Sequence, residues 1–230
     1  GASVRVSLVC FGAADVAIGG LDGQAVTTIH ADLTAGEGLD LSAAKPLGSN
    51  ALAAFNGIQK TGPFDVSGDQ VRQWLALPNP HGRPNSNVLR PWFNGLDITR
   101  RPRDFWIVDF GWEMAEADAS LYEQPFAYAL QSIKPVRETN SLEALRRDWW
   151  RLWRPRPEMR KSIAKLPRYI VTPEVSKHRV FAWLSPSIVP DKNLVVIARA
   201  DDATFGILHS RFHELWSLRL CTWLGVGNDP

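Results

Sequence analysis

The chain has 230 residues, of which 45% are apolar and 22% charged, with 26 Lys+Arg against 24 Asp+Glu and a formal net charge of +2. That length carries one large domain or two small ones around a buried core, and the apolar content excludes wholesale disorder. No run approaches the roughly 18 apolar residues of a membrane span, and Cys10 and Cys221 form neither a disulfide framework nor a metal pattern, as expected of a reduced, cytoplasmic chain.

The charge is unevenly placed. Residues 1–70 hold 3 basic and 7 acidic side chains, while residues 134–179 hold 13 and 5, a local net of +8. A local field of that sign suits a polyanionic partner; a solvated helical face gives the same count. Ten tryptophans are also many for this length.

In chain order, alternating apolar residues predict strands over 4–10, 16–18 and 25–29, separated by glycine-containing turns. Residues 31–50, rich in Gly, Ala and Ser, read as a loop or linker, and 54–60 as extended chain. Asp65 or Ser67 can cap a short helix reaching about Leu77, with Val71, Trp74 and Leu75 as its apolar positions. Pro78, Pro80 and Pro84 then force an ordered loop. Residues 105–110 form the best strand candidate, ended by Gly111. Helices are predicted over 115–132 and 141–154; Asn140 and Glu143 have capping-box spacing at the start of the second. A short helix over 158–166 precedes strands over 169–172, 179–184 and 194–197. A final helix is expected over 204–223, with Phe205, Leu208, Phe212, Leu215 and Trp216 as core residues. Strands at both ends, a central group of helices and a long C-terminal helix specify an α+β class with mixed or antiparallel sheets. The chain divides into an N-terminal unit of strands and loop, 1–50, and a larger unit, 51–230.

Enzymatic signatures are largely missing. The sequence has no GxGxxG turn, no P-loop and no Gly-x-Ser-x-Gly elbow. His209 and His213 lie four apart, followed by Glu214, and two histidines at that spacing can share a metal. In the zinc-protease motif, however, the glutamate lies between the histidines; here the pair encloses Ser210, Arg211 and Phe212. The pair reads as hydrogen-bonded histidines on a packed or interfacial surface, with a metal-dependent hydrolase as the alternative.

The basic residues are better organised. Arg147, Trp150, Arg151 and Arg154 would share one stripe of the 141–154 helix. With Arg100 and Lys192 these arginines are candidates for DNA phosphate contacts. Ser176, Lys177, His178 and Arg179 follow Pro173, which breaks the preceding strand, so they can project into a groove. They combine a hydroxyl, a point charge, a switchable ring and a bidentate donor, the chemistry that discriminates base edges. Arg101 and Arg103 are second candidates for base readout.

Longer strings carry a resemblance. Phe55-Asn56-Gly57-Ile58-Gln59, Pro80-His81-Gly82-Arg83-Pro84-Asn85, Leu89-Arg90-Pro91-Trp92-Phe93-Asn94-Gly95, Phe205-Gly206-Ile207-Leu208-His209-Ser210 and Trp223-Leu224-Gly225-Val226-Gly227-Asn228-Asp229-Pro230 occur in this order. Together the chain resembles the target recognition domain of MmeI-like DNA adenine-N6 methyltransferases, a bacterial restriction-modification family. The resemblance implies a sequence-specific DNA-binding module, not an enzyme by itself. Its partners would be double-stranded DNA and the methyltransferase domain of the same parent chain, to whose sheet the strands over 4–18 would belong. The family's catalytic Asn-Pro-Pro-Tyr and its glycine-rich S-adenosylmethionine loop are absent from this sequence. No cofactor or catalytic residue is therefore expected here, while the parent would use S-adenosylmethionine. A subunit-positioning interaction domain without DNA affinity of its own is a further alternative.

Overall fold

In a computed structural model, which describes residues 8–10, 19–30, 33–35 and 44–220, the chain is α+β. The expected strand over 16–18 and residues 4–7 of the first lie outside the described residues, and residues 8–10 form no strand. The first paired element is a hairpin, β1 (Gly19–Leu21) with β2 (Gln24–Val26). Its Asp22-Gly23 turn has positive φ at both residues, 49° and 79°, the backbone twist that closes a two-residue hairpin.

Two four-stranded sheets organise the rest of the described residues. The first, in the order β3 (Ala54–Asn56), β10 (Leu194–Ile197), β7 (Tyr169–Pro173) and β8 (Ala182–Leu184), is antiparallel throughout. The second runs β4 (Asp65–Ser67), β6 (Phe105–Val108), β5 (Leu89–Phe93), β9 (Val189–Pro190) and is antiparallel except for the parallel β5–β9 pair. Because β9 lies between β8 and β10 in sequence, the chain crosses from one sheet to the other and back. Gly57 marks the crossing: its N–H donates to Leu194 at 2.9 Å and the next amide to Pro190 at 2.8 Å. A Cβ at Gly57 would lie 2.0 Å from the Asp191 carbonyl oxygen, so only glycine permits this approach. The core fills with Ile58, Phe64, Trp92, Ile107, Tyr169 and Leu194, all essentially buried.

The helices differ from the sequence expectation in instructive ways. α1 (Gly68–Ala76) is as expected: the Ser67 side chain accepts from the Gln70 amide, and Val71 and Trp74 face the core. α2 (Gly95–Thr99) follows β5, opened by a reciprocal capping box between Asn94 and Asp97. The single helix over 115–132 is instead α3 (Glu116–Ala119), α4 (Glu123–Tyr128), a π-helical turn (Ala129–Ile133) and α5 (Lys134–Glu138). Proline explains both irregularities. Pro125 cannot stand four residues after a bonded Leu121 carbonyl, so the helix restarts with Pro125 in its first turn, and Asn79 donates to the freed Leu121 carbonyl at 2.7 Å. Pro135 likewise follows the wide turn.

The helix over 141–154 is reduced to α6 (Glu143–Arg147). Trp149, Trp150 and Leu152 are all buried, and adjacent residues of a helix point about 100° apart. The chain leaves helical geometry at Asp148 (φ −104°, ψ 46°), and both tryptophans are buried from the segment that follows. α7 (Pro157–Ile163) follows. The C-terminal helix is split at Ser210 into α8 (Asp202–His209), capped by Asp201, and α9 (Arg211–Leu220). Neither buries a residue fully; Phe212 is 86% exposed and Leu215 and Trp216 are also exposed. The expected core role of Phe212, Leu215 and Trp216 is therefore incorrect. α8 packs through Phe205, stacked 4.8 Å from Trp183, and α9 through His213, whose ring lies 5.7 Å from that of Phe181. No helix among the described residues is long and apolar enough to cross a membrane.

Candidate nucleic-acid interface

The loop after β7 and the short helix α2 face one another across a cleft of about 880 Å³. One wall is residues 94–100, set by the Asn94–Asp97 capping box; the other includes Glu174, Ser176, Lys177 and His178, with Asn193 beside them. β7 ends at Pro173, and the Glu174 amide donates to the Asn193 carbonyl at 2.8 Å, which fixes where the loop departs from the sheet. The Ser176 hydroxyl accepts from the His178 amide at 3.3 Å, a tight local turn.

The expected site residues divide by what holds them. Arg100, Lys177 and His178 line the cleft and form no ion pair among the described residues. Arg101 and Lys192 are exposed in the segments bordering it. Arg103 is committed elsewhere: its guanidinium makes two hydrogen bonds to the buried Asp97 carboxylate. Arg179 donates from Nη1 to His213 Nδ1 at 2.7 Å, and its guanidinium carbon lies 5.8 Å from the Phe181 ring. Arg103 thus braces the α2 wall, and Arg179 ties the chain beyond the loop to α9.

The arginine stripe does not form, because α6 ends at Arg147. Trp150 is buried and its indole donates to the Met114 carbonyl at 3.0 Å. Arg151 is turned inward onto the same carbonyl at 2.8 Å. Arg147 pairs with Asp148 at 2.8 Å, and Arg154, although exposed, bridges Gln59 through its backbone.

His209, His213 and Glu214 do not converge on a cation. A guanidinium only donates, so His213 Nδ1 accepts from Arg179 and the ring proton sits on Nε2. Neither nitrogen of that neutral ring has a lone pair open to a metal. Burial first, then the Arg179 charge, holds the His213 pKa below its ordinary value. His209 Nδ1 donates to the Phe205 carbonyl at 2.9 Å, and Arg211 holds the Glu214 carboxylate at 2.6 Å and lowers its pKa. Among the described residues, no group of three or more His, Cys, Asp or Glu could hold a metal ion.

Sequence reasoning missed the α2 wall. Its signal was present in Asn94-Gly95-Leu96-Asp97, a cap residue with a carboxylate three positions on, but the string lies far in sequence from the loop it faces.

No protein-family model matches the chain, and no curated protein matches it. Among solved structures, its fold is similar to that of the Type IIL restriction-modification enzyme MmeI, determined in complex with DNA. The TM-score is 0.59 at 15% sequence identity, over 85% of this chain and 26% of that one. The chain thus spans about a quarter of the length of that enzyme. At this identity the likeness is one of architecture: the chain has a fold related to part of a restriction-modification enzyme.

Proposed function

We propose that this chain is a DNA target recognition domain of an MmeI-like adenine-N6 methyltransferase, with duplex DNA seated at the cleft between α2 and the loop after β7. The supporting observation is the convergence of Arg100, Lys177 and His178 on that cleft, none of them in an ion pair among the described residues although Glu174 shares the lining, in a fold similar to that of an enzyme determined with DNA. In this reading Ser176, Lys177 and His178 address base edges, with Arg101 as a second candidate, while Arg100 and Lys192 set register on phosphates. Residues 51–230 form the recognition domain and residues 1–50 join it to a methyltransferase domain of the same parent. Methyl transfer and S-adenosylmethionine belong to that partner, since this sequence holds neither the Asn-Pro-Pro-Tyr string nor the glycine-rich loop.

Fluorescence anisotropy with labelled duplex DNA tests the proposal. Affinity should fall steeply with salt, and Arg100→Glu should reduce the slope of log K against log salt by about 0.9 for each phosphate that it leaves unneutralised. Lys177→Glu should relax preference at one base-pair position, where a good contact is worth about 1–3 kcal/mol. Binding that is flat in salt, or unchanged in both variants, overturns the reading. It would favour an interaction domain, for which the exposed Phe212, Leu215 and Trp216 of α9 offer a docking face.

A further inference from the structure

Arg137, on α5, is the largest fully buried side chain among the described residues, only 1% exposed, and no carboxylate accompanies it. Its Nη2 donates to the carbonyls of Lys60 at 2.8 Å and Arg151 at 3.0 Å. Its Nε is buried without an acceptor, and among the described residues no hydrogen bond from Nη1 completes the set. The only other support is the Phe64 ring, 5.2 Å from the guanidinium carbon. Burial alone draws the Arg137 pKa down to about 10, which leaves it a cation at neutral pH. Buried ions are ordinarily paired, because desolvating a lone charge costs several kcal/mol. Two carbonyl contacts hold this side chain in place but do not neutralise it.

Arg137 lines a cavity of about 260 Å³ together with Arg147, Arg151, Asp148, Trp112 and Trp153. Three guanidinium groups and one carboxylate therefore share this lining, with Nε and Nη2 of Arg151 held by the Met114 and Glu113 carbonyls and its Nη1 turned towards Asp148. Asp148 is already shared, 2.8 Å from Arg147 and 3.8 Å from Arg151. The space exceeds that of several waters at about 30 Å³ each, and guanidinium forks match the oxygens of a phosphate group.

We propose that this cavity is an anion site for a phosphate group, with Arg137 as its floor and Arg147 and Arg151 at its rim. Asp148 is the internal competitor that the phosphate displaces from Arg147. The phosphate can be free or part of a DNA backbone. The inference does not rest on the cleft between α2 and the loop after β7.

The test is calorimetric titration of the 230-residue chain with inorganic phosphate at constant ionic strength. The Asp148→Asn and Arg147→Glu variants alter the exposed rim and spare the core; Arg137→Gln is added where it folds. Wild type should bind phosphate, Asp148→Asn should bind severalfold more tightly, and Arg147→Glu about tenfold more weakly. Asp148→Asn and Arg147→Glu read the rim, while wild-type affinity kept in a folded Arg137→Gln would overturn the place of Arg137 as the floor. No phosphate binding by wild type, or equal binding by all variants, overturns the proposal. A parallel titration with labelled duplex DNA separates the sources. Competition by inorganic phosphate, together with a shallower salt slope in Arg147→Glu, assigns the site to the DNA backbone. Phosphate binding with duplex affinity unchanged, or with no duplex binding at all, assigns it to free phosphate and leaves the site standing if the DNA reading fails.

Discussion

Arg103 grips Asp97 with both prongs of its guanidinium, Nε 3.0 Å from Oδ1 and Nη2 2.9 Å from Oδ2, while its own amide donates to Oδ1 at 3.0 Å. The Asn94 amide adds a fourth donor at 2.9 Å. Burial pushes the Asp97 carboxyl up, but the bonds from Arg103 and Asn94 together outweigh it and hold the group below its ordinary value. The pair fastens α2 to the chain leading into β6, and so sets one wall of the cleft.

Arg103→Ala should therefore behave as a stability variant. It leaves a nearly inaccessible carboxylate with fewer donors, at a cost of about 2 kcal/mol by urea denaturation at neutral pH, moderated because the Arg103 side chain is itself partly solvated. The folded carboxyl titrates below the unfolded one, so this contribution is full above about pH 4 and is lost as pH falls through the folded value. The gap between wild type and variant should narrow in that acid range. A constant gap down to complete protonation would show that charge plays no part in the clamp.

His213 gives the docking of α9 a pH dependence of its own. The ring is neutral when it accepts from Arg179, and protonation would set two cations against each other. Its folded pKa lies below the ordinary value of 6.5, so its contribution is complete above that value and is lost as pH falls through the folded pKa. Amide-exchange protection of α9, corrected for intrinsic rates, should weaken between about pH 7 and pH 5, and His213→Gln should flatten that dependence. Equal pH profiles in the two proteins would dismiss the ring as the sensor.

At Gly57 even one added methyl should be felt. Its Cβ would meet the Asp191 carbonyl oxygen at 2.0 Å and the Pro190 oxygen at 2.8 Å, both backbone atoms tied to the two sheets. Gly57→Ala should cost about 3 kcal/mol in equilibrium unfolding, the upper part of the range for overpacking. A loss under about 0.5 kcal/mol would mean that the sheets part easily at this point.

The strands over 169–173 and 194–197 were legible because continuous apolar runs bounded by turn residues leave little else to form. The helices were legible as regions but not as units. Periodicity reports which face is apolar, yet Pro125 and Pro135 decide where the helix must restart, and the chain leaves α6 at Asp148, before the buried Trp149 and Trp150. Phe212 shows the opposite error: helical spacing predicted burial, but nothing in the described fold covers that face. At the cleft, the loop holding Lys177 and His178 announced itself through Pro173 and its cluster of polar donors. What composition could not show was commitment. Arg103 and Arg179 carry the same charge as Arg100, and only tertiary structure reveals that one is spent on Asp97 and the other on His213.

The pairing of Asn56 with Val195 has a consequence for biosynthesis. During synthesis β3 emerges long before β10, and β7 reaches the first sheet only through β10. Until that strand is made, β3 offers an open hydrogen-bonding edge and the crossing at Gly57 has nothing to close against. The nascent chain therefore holds β3 without its partner while residues 57–193 are made, an interval in which that segment is open to promiscuous strand pairing.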